Sequence, residues 1–160
     1  MASKGTPATA LLTKRKVPFT AHPYEVDPRA ESYGEAAAAA LGVPPGRVFK
    51  TLVASVDGRL AVGVVPVTGS LDLKALAAAI GAKRAAMAEP AAAERATGYV
   101  TGGISPFGQK TRLPLVVDAS ATDWPTVYVS GGRRGLQVEV APVDLIGLTG
   151  ATVAPISTGR

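Results

Sequence analysis

Two β-rich runs on either side of Asp57-Gly58 constrain the fold of this chain more than any other feature. Residues 48–55 and 59–66 are rich in Val, Leu and other residues that favour strands. An Asp-Gly pair between such runs is a strong signal for a two-residue β-hairpin turn, because both residues tolerate the positive φ that this turn requires. The sequence therefore predicts an antiparallel strand pair around which the remaining elements must pack.

Helical and strand signals alternate through the rest of the chain. Thr6-Pro7 is a typical helix start, and Ser32 precedes a second helix, predicted over residues 33–41, with capping-box spacing. Further helices are predicted after Asp72 and over residues 90–97 and 142–148. Further strands are predicted over residues 19–24, 115–118, 126–130, 136–140 and 151–156, with residues 131–135 as a turn and residues 157–160 frayed. The interleaving favours a mixed, largely antiparallel sheet with helices around it, which is an α+β fold.

The residue counts exclude several kinds of site. The chain has 160 residues, the length of about one domain. It has no Cys, which excludes disulfides, thiolate metal clusters and a thiol nucleophile supplied by the protein. Its one His, His22, leaves too few ligands for most His-rich metal sites and makes a Ser-His-Asp triad hard to build. We therefore expect no metal and no cofactor.

Charge and hydropathy bear on the partner and on the location. The net charge is +5, which suits an anionic partner such as a nucleic acid, although many small basic proteins bind none. No apolar run approaches the ~18 residues of a membrane-spanning helix, and the start of the chain lacks a signal-peptide pattern. The prediction is a cytoplasmic protein without membrane contact.

Three segments are candidates for chemistry. Lys50 lies inside an apolar strand, where it either lines a pocket as a cation or occupies the solvent face of an alternating strand. The Gly-rich segment 102–109 either holds an oxyanion through its N–H groups or forms an ordinary turn, and it has neither Walker nor Rossmann spacing. Arg133 and Arg134, in a predicted hairpin, either contact phosphate or form a solvated tip.

Several motifs, in the same order along the chain, resemble those of the YbaK/EbsC family of aminoacyl-tRNA editing proteins. The most specific are TGYVTGGISPFGQK at residues 97–110 and VYVSGGRRGL at residues 127–136. Shorter matches are His22-Pro23-Tyr24 and Phe49-Lys50-Thr51-Leu52. The family is similar to the insertion domain of bacterial prolyl-tRNA synthetases. The resemblance implies a barrel-like mixed, largely antiparallel sheet surrounded by helices, with residues 1–160 as a single editing domain.

The resemblance also implies an enzyme that deacylates Cys-tRNA(Pro), and also Cys-tRNA(Cys). The implied catalytic residues are Lys50, Gly102 and Gly103, and the implied substrate-binding residues are Tyr24, Tyr33, Thr51, Ser105 and Ser130. The basic residues expected to contact the tRNA backbone are Lys110, Arg112, Arg133 and Arg134. Gln137 stands where an acidic residue can occur in the family, so no acid role is implied there.

In the implied reaction the substrate's own thiol attacks its ester carbonyl and a cyclic thiolactone leaves. The protein then positions the substrate and stabilises the oxyanion, which suits a chain without Cys. Direct hydrolysis is left open. The implied partners are aminoacyl-tRNA and prolyl-tRNA synthetase. Two alternatives stay open: deacylation of another mischarged tRNA such as Ala-tRNA(Pro), and a non-catalytic module that binds tRNA or a synthetase.

Overall fold

The computed structural model describes residues 5–26, 29 and 33–158. Within this part the α-helices are α1 (Pro7–Lys14), α2 (Tyr33–Leu41), α3 (Leu73–Ala79), α4 (Pro90–Thr97) and α5 (Pro142–Thr149). The strands are β1 (Thr20–Pro23), β2 (Phe49–Val56), β3 (Arg59–Pro66), β4 (Ser70–Leu71), β5 (Ala85–Met87), β6 (Leu115–Asp118), β7 (Val127–Arg133), β8 (Leu136–Val140), β9 (Thr152–Ala154) and β10 (Ser157–Thr158). Short 3₁₀ helices span Pro45–Arg47 and Ala119–Asp123.

The predicted hairpin is confirmed as the longest strand pair. β2 and β3 are antiparallel, and Val56 pairs with Arg59 next to the turn. Asp57 has φ 47° and Gly58 has φ 83°, so both turn residues adopt the positive φ of a two-residue hairpin turn. The side chain of Asp57 also accepts hydrogen bonds from the N–H groups of Lys83 and Arg84, at 3.0 and 2.9 Å. These two bonds hold the pKa of the Asp57 carboxyl below its ordinary value.

The strands form three sheets in the described part of the chain. The largest has the order β5-β2-β3-β6-β9, with parallel pairing of β3 to β6 and of β6 to β9. A second sheet has the order β1-β8-β7, and β10 pairs with β4 in a third. Five of the seven strand pairs among the described residues are antiparallel, so the predicted mixed, largely antiparallel α+β fold is confirmed. The barrel-like closure is not found, because the three sheets of the described chain do not join into one closed sheet.

The helix boundaries follow the predicted capping residues. Thr6 caps α1 through a capping box with Thr9, and Asp72 caps α3 by accepting a hydrogen bond from the Ala75 N–H group. α4 ends at Thr97, and the following Gly98, with φ 80°, forms the left-handed cap that glycine favours. Ser32, the predicted cap of α2, lies outside the described residues.

Apolar side chains cover both faces of the five-stranded sheet. One cluster contains Phe49, Val53 and Val64 and extends to the inner face of the three-stranded sheet, at Val129 and Val138. The cluster on the opposite face joins Ala54, Val56, Val65 and Leu76, among others. The three-stranded sheet therefore buries one face, and its other face carries polar side chains at Ser130, Gln137 and Glu139.

The end of the described chain is a correction to the prediction. Ser157 and Thr158, predicted to be frayed, form β10 and pair with β4. The buried carboxylate of Asp118 holds this segment, because its Oδ1 accepts hydrogen bonds from the N–H groups of Ile156 and Ser157 at 2.9 and 3.1 Å. No α-helix in the described part of the chain is long and apolar enough to cross a membrane.

Candidate functional site

A cavity of about 220 Å³ brings together residues from distant parts of the chain. It lies between the start of α2, the first half of β2, the segment after α4 and the β7–β8 hairpin. Its lining residues are Tyr24, Tyr33, Gly34, Phe49, Lys50, Thr51, Leu52, Thr101, Gly102, Ile104, Ser130 and Gln137. The cavity therefore joins predicted site residues separated by more than one hundred positions.

The cavity forms along one edge of β2, between Val48, which bridges to Tyr128 of β7, and Ala54. No described strand pairs with this stretch of the edge. β5 pairs with β2 only along Ala54, Ser55 and Val56. The carbonyl of Val53 still accepts a hydrogen bond from the Ala88 N–H group. Because successive backbone groups of a strand point to opposite edges, the N–H and C=O groups of Thr51 point to this same uncovered edge. This explains why four consecutive residues, 49–52, line the cavity.

Lys50 lies at the cavity and not on a solvated strand face. Its side chain is partly buried, and no described residue forms an ion pair or a hydrogen bond with its ammonium group. None of the described Asp and Glu residues lines the cavity. An unpaired cation in a site without carboxylates can stabilise negative charge on a bound ligand.

The two glycines of the Gly-rich segment have different surroundings. Gly102 lines the cavity and has φ 89°, and a Cβ there would lie 2.7 Å from the Tyr33 ring. Gly103 is buried beneath it, and a Cβ there would lie 2.9 Å from backbone atoms of Arg133 and Arg134. The N–H group of Gly103 donates to the Val100 carbonyl at 2.9 Å, so it is not free to bind an oxyanion.

Buried hydrogen bonds hold the segment that follows Gly103. The Tyr99 hydroxyl donates to the Phe107 carbonyl at 2.5 Å, and burial raises the pKa of Tyr99 to about 12. Ser105 is fully buried, and its hydroxyl accepts a hydrogen bond from the Phe107 N–H group at 3.2 Å. Ser105 is therefore not one of the lining residues, and the structure places it as an internal support of this segment.

Arg134 braces two walls of the cavity. Its guanidinium lies 4.6 Å from the centroid of the Tyr33 ring, within the range of a cation–π contact. It also donates two hydrogen bonds to the Thr101 carbonyl, at 2.9 and 2.6 Å. Tyr33 and Thr101 both line the cavity, so this exposed arginine ties the start of α2 to the Gly-rich segment.

The other basic residues predicted to contact tRNA are not grouped around this cavity. Arg133 is partly buried at the end of β7, and Lys110 is exposed after the Gly-rich segment. Arg112 lines a different cavity of about 240 Å³, next to Leu11 and Leu148. None of these three arginine and lysine side chains lines the cavity at Lys50.

The polar face of the three-stranded sheet forms one wall of the cavity. Ser130 pairs with Gln137, and the Ser130 hydroxyl accepts a hydrogen bond from the Gly132 N–H group at 3.1 Å. Tyr24 follows β1, and its N–H group donates to the Gly135 carbonyl at 2.9 Å. The chain turns at Arg134-Gly135, and β7 runs through the predicted turn residues 131–133 with a bulge after Ser130.

A charged cluster on the same sheet face lies outside the cavity lining. The Glu139 carboxylate lies 2.9 Å from the His22 ring and 3.4 Å from the Arg47 guanidinium, and it accepts a hydrogen bond from the Thr126 hydroxyl at 2.5 Å. The Thr126 bond is the main cause that lowers the pKa of Glu139, with His22 contributing. In the described residues, no group of three or more His, Asp or Glu side chains is placed to hold a metal ion.

The sequence did not indicate every residue at the cavity. Phe49, Leu52 and Ile104 supply apolar wall, and each lies within a motif that was singled out for a neighbouring residue. Gln137 was given no role, yet it is 7% exposed and lines the cavity. Its place opposite Ser130 depends on the β-bulge, which the pair Gly131-Gly132 could have signalled.

Comparison with known proteins gives the same family as the motifs. Residues 27–148 match the aminoacyl-tRNA editing domain family. The chain is 37% identical over 158 residues to a protein of Enterococcus faecalis, EbsC, described as a Cys-tRNA(Pro)/Cys-tRNA(Cys) deacylase, covering 96% of this chain and 93% of that protein. It is also 33% identical over 113 residues to the multifunctional Ser/Thr-tRNA deacylase ProXp-y of Escherichia coli, covering 68% of this chain and 65% of that protein.

Solved structures have the same fold. A protein described as a trans-editing enzyme for prolyl-tRNA synthetase superposes with a TM-score of 0.84 at 26% identity, covering 98% of this chain and 100% of that one. The motif-based assignment and the fold comparison thus agree over nearly the whole chain.

Proposed function

Because the chain belongs to the aminoacyl-tRNA editing domain family, we propose that it is a trans-acting deacylase that removes a wrongly attached amino acid from the 3′ end of tRNA. The proposed substrate is Cys-tRNA(Pro), with Cys-tRNA(Cys) as a second one, and residues 1–160 act as one editing domain. The similarity to EbsC over 96% of the chain supports this choice of substrate.

The observation that carries the proposal is the ammonium group of Lys50, which has no partner among the described residues, in a cavity that no described carboxylate lines. Attack on the ester that joins an amino acid to tRNA places negative charge on the carbonyl oxygen. A cation that is already positioned and unpaired stabilises this charge without reorganising at the moment of reaction. In the proposed site Lys50 contacts the developing oxyanion or the terminal adenosine, and Gly102 lets the backbone approach the ester closely.

The cavity lining supports a reaction in which the protein supplies no nucleophile. Its described residues supply hydroxyl groups and one amine but no Cys, His, Asp or Glu side chain. His22 is held by Glu139 and does not itself line the cavity. In the proposed step, the thiol sulfur of the substrate forms a bond to its own ester carbonyl and the bond from that carbon to the ribose oxygen breaks. The thiol proton ends on the ribose oxygen, and a thiolactone leaves.

The remaining proposed roles concern binding. Tyr24, Tyr33 and Ser130 bind the substrate at the cavity walls, and Ser105 supports the Gly-rich segment from below. The net charge of +5 supports binding of the tRNA backbone, with Lys110, Arg112, Arg133 and Arg134 as the contacting residues. We place the protein in the cytoplasm, with prolyl-tRNA synthetase as the partner that recognises the body of the tRNA.

Deacylation of a small set of aminoacyl-tRNAs tests the proposal. We expect the wild type to release Cys from tRNA(Pro) faster than Ala from the same tRNA. Lys50→Ala should lower the rate by about 100-fold or more, the usual effect of losing one oxyanion-stabilising group. Lys74→Ala is the matched control, because Lys74 is exposed on α3 and does not line the cavity.

Three outcomes would contradict the proposal. Full activity of Lys50→Ala would show that Lys50 has no role in catalysis. Faster release of Ala than of Cys would assign the protein to Ala-tRNA(Pro). Binding of tRNA without any faster loss of amino acid would identify a non-catalytic module.

A further inference from the structure

Two side-chain oxygens in the wall of the cavity have no hydrogen-bond partner in the described part of the chain. Among the described residues, the buried polar side-chain atoms without a partner are Thr51 Oγ1, Gln137 Oε1 and Ser157 Oγ. Thr51 is 8% exposed and Gln137 is 7% exposed, so both side chains are more than nine-tenths buried. Thr51 and Gln137 line the cavity at Lys50, whereas Ser157 does not.

An unpaired buried oxygen indicates a partner that is absent from the protein itself. Leaving such an atom without a hydrogen bond costs about 1–3 kcal/mol, so buried polar groups are nearly always paired. An amide oxygen only accepts hydrogen bonds, and a hydroxyl both accepts and donates. The group that completes this pair must therefore carry a donor. Because both oxygens are buried, the Thr51 and Gln137 side chains must turn toward the cavity to meet it.

We propose that Thr51 and Gln137 select aminoacyl groups whose side chain carries a hydrogen-bond donor, a hydroxyl or a thiol, over hydrocarbon side chains. This inference rests on the proposed deacylase function and names the class of amino acid that the site accepts. Lys50 and Gly102 serve the ester end of the substrate, which leaves the two unpaired oxygens for its side chain. The similar proteins EbsC and ProXp-y are described as acting on Cys-tRNA and on Ser/Thr-tRNA, and all three amino acids carry such a donor.

The selection has a physical basis: an aminoacyl group without a donor leaves the two buried oxygens unpaired, which costs free energy. A bound side chain with a donor supplies hydrogen bonds that the two buried oxygens lack in the protein alone. An alanyl side chain cannot supply them, although it is small enough to enter. Sites built to bond a hydroxyl reject the analogue without it more strongly than an apolar pocket distinguishes one methylene group.

Single-turnover deacylation of Ser-, Cys- and Ala-tRNA(Pro), all on the same tRNA, tests the inference. The wild type should release Ser and Cys faster than Ala. Thr51→Val and Gln137→Leu remove one oxygen each at nearly unchanged volume. Each should lower the rate with Ser by about 2- to 12-fold, the worth of one hydrogen bond, and leave the rate with Ala unchanged or higher. Cys should respond less than Ser, because a thiol is a weak donor.

Ser157→Ala is the matched control, because it also removes a buried unpaired oxygen but lies outside the cavity lining. It should leave the ratio of the Ser and Ala rates unchanged. Equal wild-type rates with all three substrates would overturn the inference and leave the proposed function intact. Variants that slow Ser and Ala by the same factor would also overturn it, since they would show a structural role. Absence of turnover with every substrate would refute the proposed function and the inference with it.

Discussion

Replacing Gly103 by Ala places a methyl group against the backbone of the β7–β8 hairpin. The added Cβ would lie 2.9 Å from the Cα and the carbonyl carbon of Arg133, and 2.9 Å from the nitrogen of Arg134. Gly103 does not have a positive φ, so the substitution carries no backbone conformational penalty of its own. The contact is with backbone atoms, and a side-chain rotation cannot relieve it.

The size of the effect follows from this overlap. Carbon atoms pack best at about 3.5–4.0 Å, so the Gly-rich segment and the hairpin must move apart by roughly 0.6 Å. Overpacking of this kind typically costs about 1–3 kcal/mol. For a domain of this length that corresponds to a fall in Tm of about 2–12 °C. The same displacement carries Gly102 away from the cavity, and we expect the deacylation rate to fall by about tenfold or more, because misplacement of 1 Å can cost about 100-fold.

Thermal unfolding and single-turnover deacylation of Gly103→Ala measure both effects. Gly147→Ala is the control, because a Cβ at Gly147 in α5 would meet no atom within 4 Å outside its own helix. That substitution should raise the free energy of unfolding by about 0.5–1 kcal/mol, since alanine is the better helix former. A Gly103→Ala protein with wild-type Tm would refute the packing argument. A lowered Tm with an unchanged deacylation rate would show that the position of the Gly-rich segment does not affect catalysis.

The remaining predictions concern pH and salt. The pKa of Glu139 is lowered in the folded protein, so its stabilisation is present above its ordinary value of 4.5 and is lost as the pH falls through the folded value. The Tm difference between wild type and Glu139→Gln should therefore disappear in acid. The pKa of Tyr99 is raised from 10.0 to about 12, so stability should fall as the pH rises above 10.0, and Tyr99→Phe should abolish this dependence. At neutral pH Tyr99→Phe should lose about 1–3 kcal/mol, because the buried Phe107 carbonyl is left unpaired. The affinity for tRNA should fall with salt, and Arg133→Gln should reduce the slope of log K against log salt by about 0.7–0.9 per lost phosphate contact, measured by filter binding.

Elements with local signals were predictable from the sequence. The Asp57-Gly58 turn, the cap at Thr6 and the glycine after α4 each depend on residues within one or two turns of the chain. The strand pairs that were missed have no such signal. β4 and β10 contain two residues each, and their pairing joins Ser70 to Thr158 across most of the second half of the chain. Two contacts fixed by tertiary structure hold that pairing: the bonds from the Ile156 and Ser157 N–H groups to the buried Asp118 carboxylate, and the bond from the Asp72 N–H group to the Ile156 carbonyl.

The orientation of Lys50 could not be decided from alternation along β2. Alternation identifies the buried face only when the other face is solvated, and apolar clusters cover both faces of this sheet. The cavity instead opens at an edge of the strand, because β5 pairs only with residues 54–56. Consecutive residues are accessible at an open strand edge. The alternation of apolar and polar residues along β2 therefore cannot predict which residues line the cavity.

The bulge in β7 determines which polar residue of β8 reaches the cavity wall. Arg133 pairs with Leu136, so an unbroken antiparallel ladder would place Ser130 opposite Glu139. The two extra residues, Gly131 and Gly132, shift the register so that Ser130 pairs with Gln137 instead. Glu139 is then left to pair with His22 and Arg47, outside the cavity lining. A carboxylate in the cavity wall would attract the Lys50 ammonium and reduce its ability to stabilise an oxyanion. Among the described residues, the bulge therefore leaves this ammonium unpaired and puts the neutral side chain of Gln137 in the cavity wall.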